Sequence, residues 1–143
     1  MPAQRGTDYP DHAVAVRPER ELMTRQRLPY FLGISADSAG SRGLSMHMVV
    51  IPPGAAAAPH LHQGYETAIY VLEGRVETRY GHRLEHSVIS EAGDFLYIPP
   101  DLPHEAQNLS ATQPARAIVA RNDAAEQERV LPYEPPAAEP DTA

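Results

Sequence analysis

Short apolar runs alternate with turn-forming clusters along most of this chain, and within the runs the hydrophobic repeat is closer to two than to 3.6. Segments 30–35, 44–51, 66–72, 76–80, 86–90, 95–98 and 115–120 carry the β-branched, aromatic and leucine content of strands. The separators "ADSAGSRG", "PPGAAAAP", "EG", "YGHR", "EAGD" and "PPDLP" all contain Gly, Pro or Asp, residues that turn the chain. "AAAA" alone suggests a helix, but Pro53-Gly54 before it and Pro59 after it leave no room for one. Only 20–27 and 124–130 have the composition of short helices. Many short strands without βα alternation predict an all-β sandwich or barrel.

The 143 residues suit one domain with a single core. Residues 1–20 are polar and aperiodic and read as an N-terminal arm; 21–131 form the domain, and 132–143, rich in Pro and Ala, a flexible tail. A formal charge of −7 with no basic run argues against a nucleic-acid partner. The N-terminal "MPAQRGTDYPDHAVAV" has no apolar signal core and no long apolar stretch follows, so the expectation is a cytoplasmic protein with no membrane partner. Cysteine is absent, which removes disulfides and thiolate ligands, so a bound metal must be held by imidazole and oxygen. Histidine, by contrast, occurs seven times. There is no GxSxG elbow, and "PPGAAAAP" lacks the Lys and following helix of a phosphate loop.

Two stretches carry the candidate chemistry. In "PHLHQGYETAIYVLEG", a strand conformation puts His60 and His62 on one face, spaced to grip one cation, with Pro59 holding the approach extended. The alternative is a solvated strand face that happens to carry two histidines. In "AGDFLYIPPDLPHEAQN", a strand leads through a stiff double-proline turn to His104 and then Asn108, a rigid way to aim an imidazole.

Together these stretches resemble the two motifs of the cupin superfamily: Gly54, His60, His62, Glu66 and Gly74 in the first, Gly93, Pro99, Asp101, His104 and Asn108 in the second. The resemblance covers roughly residues 44–120 and implies a double-stranded β-helix, or jelly-roll β-barrel, of the single-domain type. Asp101 stands where the family has Gly, in a turn whose positive φ Asp tolerates. Glu66 has the family distance from His62, but seven residues rather than six separate it from Gly74. Counted back from Gly74 the acidic position falls on Thr67. If the extra residue lies in "QGY", Thr67 faces the site and Glu66 turns away, because a one-residue slip exchanges faces. The implied metal ligands are therefore His60, His62 and His104, with Glu66 or, failing it, His47 completing the set. His47 lies mid-strand among apolar residues, and its alternative is a buried histidine bonded to backbone.

Such a ligand set suits Zn, Fe, Mn, Ni or Cu without choosing among them, and leaves open positions for substrate. Met46, Met48, Ile69, Tyr70, Val71, Tyr97 and Ile98 are the candidate walls of an apolar pocket, fitted to a hydrophobic small molecule. Within the superfamily, "GYETAIYVLEG" and "GDFLYIPPDLPH" are similar to aromatic polyketide cyclases of the resistomycin type. That likeness implies zinc-assisted aldol cyclisation of a poly-β-ketone, a lyase-type step in antibiotic biosynthesis, with His47 or Glu66 as base. The competing expectations are an Fe(II) or Ni(II) dioxygenase acting on a diketone or flavonol-like substrate, and a non-catalytic small-molecule or sugar-binding cupin. The family resemblance also implies a homodimer.

Overall fold

The computed structural model describes residues 8–18, 21–23, 29–125 and 130–137. Among the described residues, eleven strands form two antiparallel sheets, with a single-turn helix between two neighbouring strands of the larger one. In chain order they are β1 (Glu21–Met23), β2 (Pro29–Ile34), α1 (Ala36–Ala39), β3 (Ser45–Ile51), β4 (His60–His62), β5 (Thr67–Glu73) and β6 (Arg75–Tyr80). There follow β7 (His86–Glu91), β8 (Phe95–Ile98), β9 (His104–Asn108), β10 (Ala115–Arg121) and β11 (Val130–Pro132). The larger sheet runs β1-β2-β3-β10-β5-β8 and the smaller β11-β4-β9-β6-β7. Successive strands repeatedly cross between the sheets, which makes this the expected double-stranded β-helix.

Alternation along the central strands sorts side chains into an interior and an exterior. On β3 Ser45, His47, Val49 and Ile51 are buried, and on β10 Ala115, Ala117, Val119 and Arg121. Pairing aligns these residues into rows: Ile51 with Ala115, Val49 with Ala117 and Val71, His47 with Val119 and Ile69, and Ser45 with Arg121 and Thr67. The first two rows, with Val76 and Ala57, are the apolar core. The last carries polar groups, so the barrel has a greasy end and a polar end.

The two helices expected from sequence are not found among the described residues. Glu21–Met23 pairs antiparallel with β2, and Val130–Pro132 pairs with β4; the remaining central positions of both segments, 24–27 and 126–129, lie outside the described residues. Pairing along a sheet edge satisfies backbone groups that a short isolated helix would leave to water, and it overrides the local composition. A single-turn helix falls instead in "ADSAGSRG". Ser35 caps it in a reciprocal capping box with Ser38, and Gly40 closes it in the left-handed conformation at φ 74°. Of the expected arm, the segment around Asp8–Pro10 packs on this turn: Arg42 donates to the Asp8 carbonyl and Pro10 lies against Gly40. No helix among the described residues is long and apolar enough to cross a membrane.

Asn108, the last residue of the second motif, is a staple of the greasy end. Buried at 1% exposure, its Nδ2 donates to the carbonyls of Ile51 and Gln113 at 3.0 and 2.7 Å, and its Oδ1 accepts from the Ser110 amide. It thereby joins β3, β9 and the β9–β10 turn. Asn108→Ala leaves two carbonyls and an amide unsatisfied and is expected to cost about 2–4 kcal/mol. Denaturant unfolding, with metal content held the same, measures it.

Candidate metal centre

Three imidazoles meet at the polar end. His60 and His62 lie on one face of β4 with Leu61 between them, and His104 opens β9, directly paired with His60. All three are buried, and one nitrogen of each lies within 4.8 Å of those of the other two. Their rings pack edge-on or tilted, with centroids 4.4 to 5.2 Å apart.

The other ring nitrogen of each histidine is already engaged. His60 Nδ1 is 2.6 Å from the Ala58 carbonyl and His104 Nδ1 is 2.8 Å from the Leu102 carbonyl. A carbonyl only accepts, so both Nδ1 atoms carry the proton and both Nε2 atoms present a lone pair. His62 Nδ1 is held 2.9 Å from the hydroxyl of buried Tyr65. Outward bonds of this kind fix ring orientation and tautomer in metal sites.

Electrostatics favours the same state. Burial lowers the pKa of His60, and the neighbouring His104 and Arg121 lower it further, to about 3 against a partial rise from Ala58. Burial, then Arg121, His60 and His104, depress His62 still more. His104 is lowered to about 4, by burial first and then Arg121, with the Leu102 carbonyl opposing. The three rings are neutral at pH 7 and available as ligands. Imidazole nitrogens on a preformed cradle suit a divalent first-row ion, and the residues present fit one.

The double-proline turn connects the two motifs. Asp101 takes φ 64°, as expected for an Asp in the family's Gly position. Its amide donates to the His62 carbonyl at 2.9 Å, and its Oδ1 accepts from the Gly64 amide at 3.0 Å. A glycine in its place would keep the first bond and lose the second.

The structure does not bring Glu66 or His47 to the three imidazoles. The extra residue is accommodated in the Gln63-Gly64 turn, where Gly64 sits at φ 80°. Thr67 therefore faces inward at 2% exposure, and Glu66 faces out. The Glu66 carboxylate accepts from the Tyr97 hydroxyl at 2.7 Å and from Asn122 Nδ2 at 3.1 Å. His47 is buried, but its Nδ1 accepts from the Gly33 amide at 2.9 Å. Burial, then Arg121, lower its pKa to about 4, so it is neutral with the proton on Nε2. That tautomer offers a ligand lone pair at neither nitrogen.

A largely apolar cavity of about 70 Å³ adjoins the histidines, lined among others by Ile69, Val71, Leu96, Ile98 and Val119. Of the expected walls, Ile69, Val71 and Ile98 are there. Met46, Met48, Tyr70 and Tyr97 are not: alternation that turns His47, Ile69 and Ile98 inward turns these four outward. The lining residues missed by sequence reasoning include Thr67, as more than an alternative to Glu66, and Arg121. Arg121 ends β10 beside Thr67 and is 6% exposed. An arginine on the inward phase of an otherwise apolar strand, Ala115-Ala117-Val119, was the available signal.

The class this geometry defines is a β barrel with an inward-facing three-histidine cradle that could hold a metal ion, and the comparisons place it more narrowly. Residues 47–121 match the model described as "Cupin domain", and the chain belongs to that family. It is 33% identical over 66 residues to an uncharacterized protein, MJ1618, of Methanocaldococcus jannaschii, covering 46% of this chain and half the length of that relative. The fold is similar to the polyketide cyclase RemF from Streptomyces resistomycificus, with a TM-score of 0.69, 20% identity and 85% of each chain covered. It is also similar to Lactobacillus farciminis oxalate decarboxylase, with a TM-score of 0.65, 18% identity, 76% of this chain and 32% of that one.

The depressed histidine pKa values fix the pH dependence of the metal-free protein. The unfolded chain takes up protons near the ordinary value of 6.5, which the folded chain refuses until about 4 or below. Stability is therefore fully present above about pH 7 and falls as pH drops toward 4, by about 1.4 kcal/mol per pH unit for each such histidine. Urea midpoints of chelator-treated protein between pH 8 and 4 test this; a flat profile contradicts it. Asp101→Gly is expected to lower stability by about 1 kcal/mol, and Asp101→Ala, which also strains the backbone, by more.

Proposed function

We propose that this cupin is a metal-dependent enzyme, zinc being the favoured ion, that activates a carbonyl compound for aldol-type cyclisation in the manner of an aromatic polyketide cyclase. The observation that carries the reading is the set of three neutral, outwardly tethered imidazoles with their Nε2 atoms turned to one point in an apolar barrel. Coverage of most of both chains by the RemF likeness supports the cyclase among the cupin activities.

A bound divalent cation supplies Lewis acidity, which polarises a carbonyl and lowers the pKa of the adjacent carbon acid. His60, His62 and His104 hold it. The apolar rows below, Val49, Val71 and Ala117, exclude water from the reacting end. The enclosed volume takes only a few heavy atoms. A longer chain would lie in the outer groove of about 410 Å³ that shares Thr67 and Arg121 with the cavity and is rimmed by Glu66, Tyr97 and Asn122. His47, whose neutral Nε2 carries the proton, is a donor and not a base. Glu66, on the groove, is the carboxylate assigned to proton abstraction, with Tyr97 and Asn122 orienting it.

The outer face of the larger sheet also carries a proposal. Met48, Ile118, Tyr70 and Phe95 form one cross-strand row, and Met46, Ala120, Ala68 and Tyr97 the next. Phe95 is 81% exposed and Tyr97 57%. Apolar patches of this kind mark interaction surfaces, and we assign this one to a second copy of the chain. Sedimentation is expected to show a dimer that Phe95→Glu dissociates.

Metal analysis of the purified protein tests the enzyme reading first. About one zinc per chain is expected, and His62→Ala or His104→Ala should lower affinity at least 100-fold. Zinc-loaded protein should accelerate deuterium uptake at the methyl carbon of pyruvate. Glu66→Gln should slow this about 100-fold or more while keeping the metal. Iron in place of zinc, with oxygen consumed in turnover, would instead support the dioxygenase.

A further inference from the structure

Four polar members of the cavity wall, Thr67, Thr78, Ser90 and Arg121, are left unused by the three-histidine reading, and two of them, Thr67 and Arg121, stand together. They are directly paired across β5 and β10, so their side chains emerge side by side on the inner face. Thr67 is 2% exposed, and its Oγ1 has no hydrogen-bond partner among the described residues. Threonine needs no such arrangement. Its hydroxyl commonly bonds to a nearby backbone carbonyl, and burying one unsatisfied costs stability. Beside it, a guanidinium carries up to five donors in a plane, enough to be held in the wall and still present donors to the cavity.

Among the described residues, no side chain lining the cavity is acidic. The Arg121 charge also reaches all three cradle histidines, where it helps to disfavour their protonation. A divalent ion in that cradle and a guanidinium in the same small volume place two centres of positive charge around one space. The ligand that suits this space is small and carries a negative oxygen. A neutral ketone would leave the Thr67 hydroxyl satisfied but the guanidinium facing an uncharged partner.

We propose that Thr67 and Arg121 form an oxyanion subsite, which selects a ligand presenting a carboxylate or enolate oxygen toward the guanidinium while another oxygen faces the metal. This rests on the metal reading and narrows it to anionic oxygen compounds. The outward rotation of Glu66 then has a function. A carboxylate at the inward position would repel an anionic ligand, whereas threonine brings no negative charge and adds a hydroxyl donor. The hydroxyl is left unsatisfied in the empty pocket and is satisfied when the anion arrives.

Cobalt(II)-loaded protein provides the readout, because visible absorption reports ligands near the metal without any assay of turnover. Propionate against propionamide tests a carboxylate, and acetylacetonate against 2-butanone tests an enolate. The anions are expected to perturb the spectrum, each neutral analogue binding at least tenfold more weakly. Arg121→Gln should weaken the anions about 10- to 100-fold and leave the neutral analogues unchanged, while Arg121→Lys, which keeps the charge, recovers part of the loss. Thr67→Val should weaken the anions about three- to tenfold and raise the melting temperature of the ligand-free protein, since it removes a buried unsatisfied hydroxyl. Whichever anion binds more tightly identifies the source of the oxygen. Equal binding of charged and neutral probes, or anion affinity untouched in folded, cobalt-loaded Arg121→Gln and Thr67→Val proteins, overturns the subsite. Failure to take up cobalt overturns the metal reading instead. Stabilisation of the metal-free protein by propionate, lost in Arg121→Gln, then decides the subsite alone.

Discussion

Each cradle histidine is tied from behind before anything is bound in front. Ala58, Tyr65 and Leu102 engage the three Nδ1 atoms, and burial keeps the rings uncharged. An imidazole that rotated freely would offer either nitrogen, and one that took a proton would offer none. The outward bonds remove the first freedom and the low-dielectric surroundings remove the second. The rest of the polar end follows from keeping those tethers in place. The Gln63-Gly64 turn, the Asp101 clasp and the direct pairing of β4 with β9 all fix the distance between the two motifs.

The barrel itself was legible because period-two runs broken by Gly, Pro and Asp leave few other architectures. Seven strands could be located within a residue or two. His60–His62 was legible only from the spacing of its two histidines, and the strands that escaped are short or irregular in composition: Glu21–Met23, His104–Asn108 and Val130–Pro132. They exist through their pairing, and pairing is a long-range property that a local pattern does not encode. The three histidines were legible because chemistry and spacing agree in both motifs. The fate of Glu66 was legible only as a choice between two registers, and the αL glycine at position 64 settles it. The wall residues were less so. Choosing Met46, Met48, Tyr70 and Tyr97 by hydrophobicity ignored the phase of their strands; applying alternation to His47, Ile69 and Ile98 would have turned all four outward. The same test would have turned Arg121 inward.

Those outward residues and the inner cavity are two uses of one sheet. Its inner rows give a volume suited to the reacting end of a molecule, and its outer rows an apolar surface of Met, Ile, Tyr and Phe. β5 carries both, with Thr67, Ile69 and Val71 on one side and Tyr70 and Leu72 on the other. A partner seated on the outer face would press on the strand that presents Thr67, which gives association a direct mechanical route to the pocket.

The layering of the barrel by rows has a further consequence for how such a protein diversifies. Ile51, Val49, Ala115 and Ala117 complete their packing two or three rows away from Thr67 and Arg121. Side chains at the rim can thus be exchanged without repacking the hydrophobic layers beneath. A single insertion in a turn, as at Gln63-Gly64, is enough to trade one rim donor for its neighbour on the opposite face. In evolutionary terms, new chemistry can be drawn from residues the strand already holds, at the cost of a loop and not of the fold.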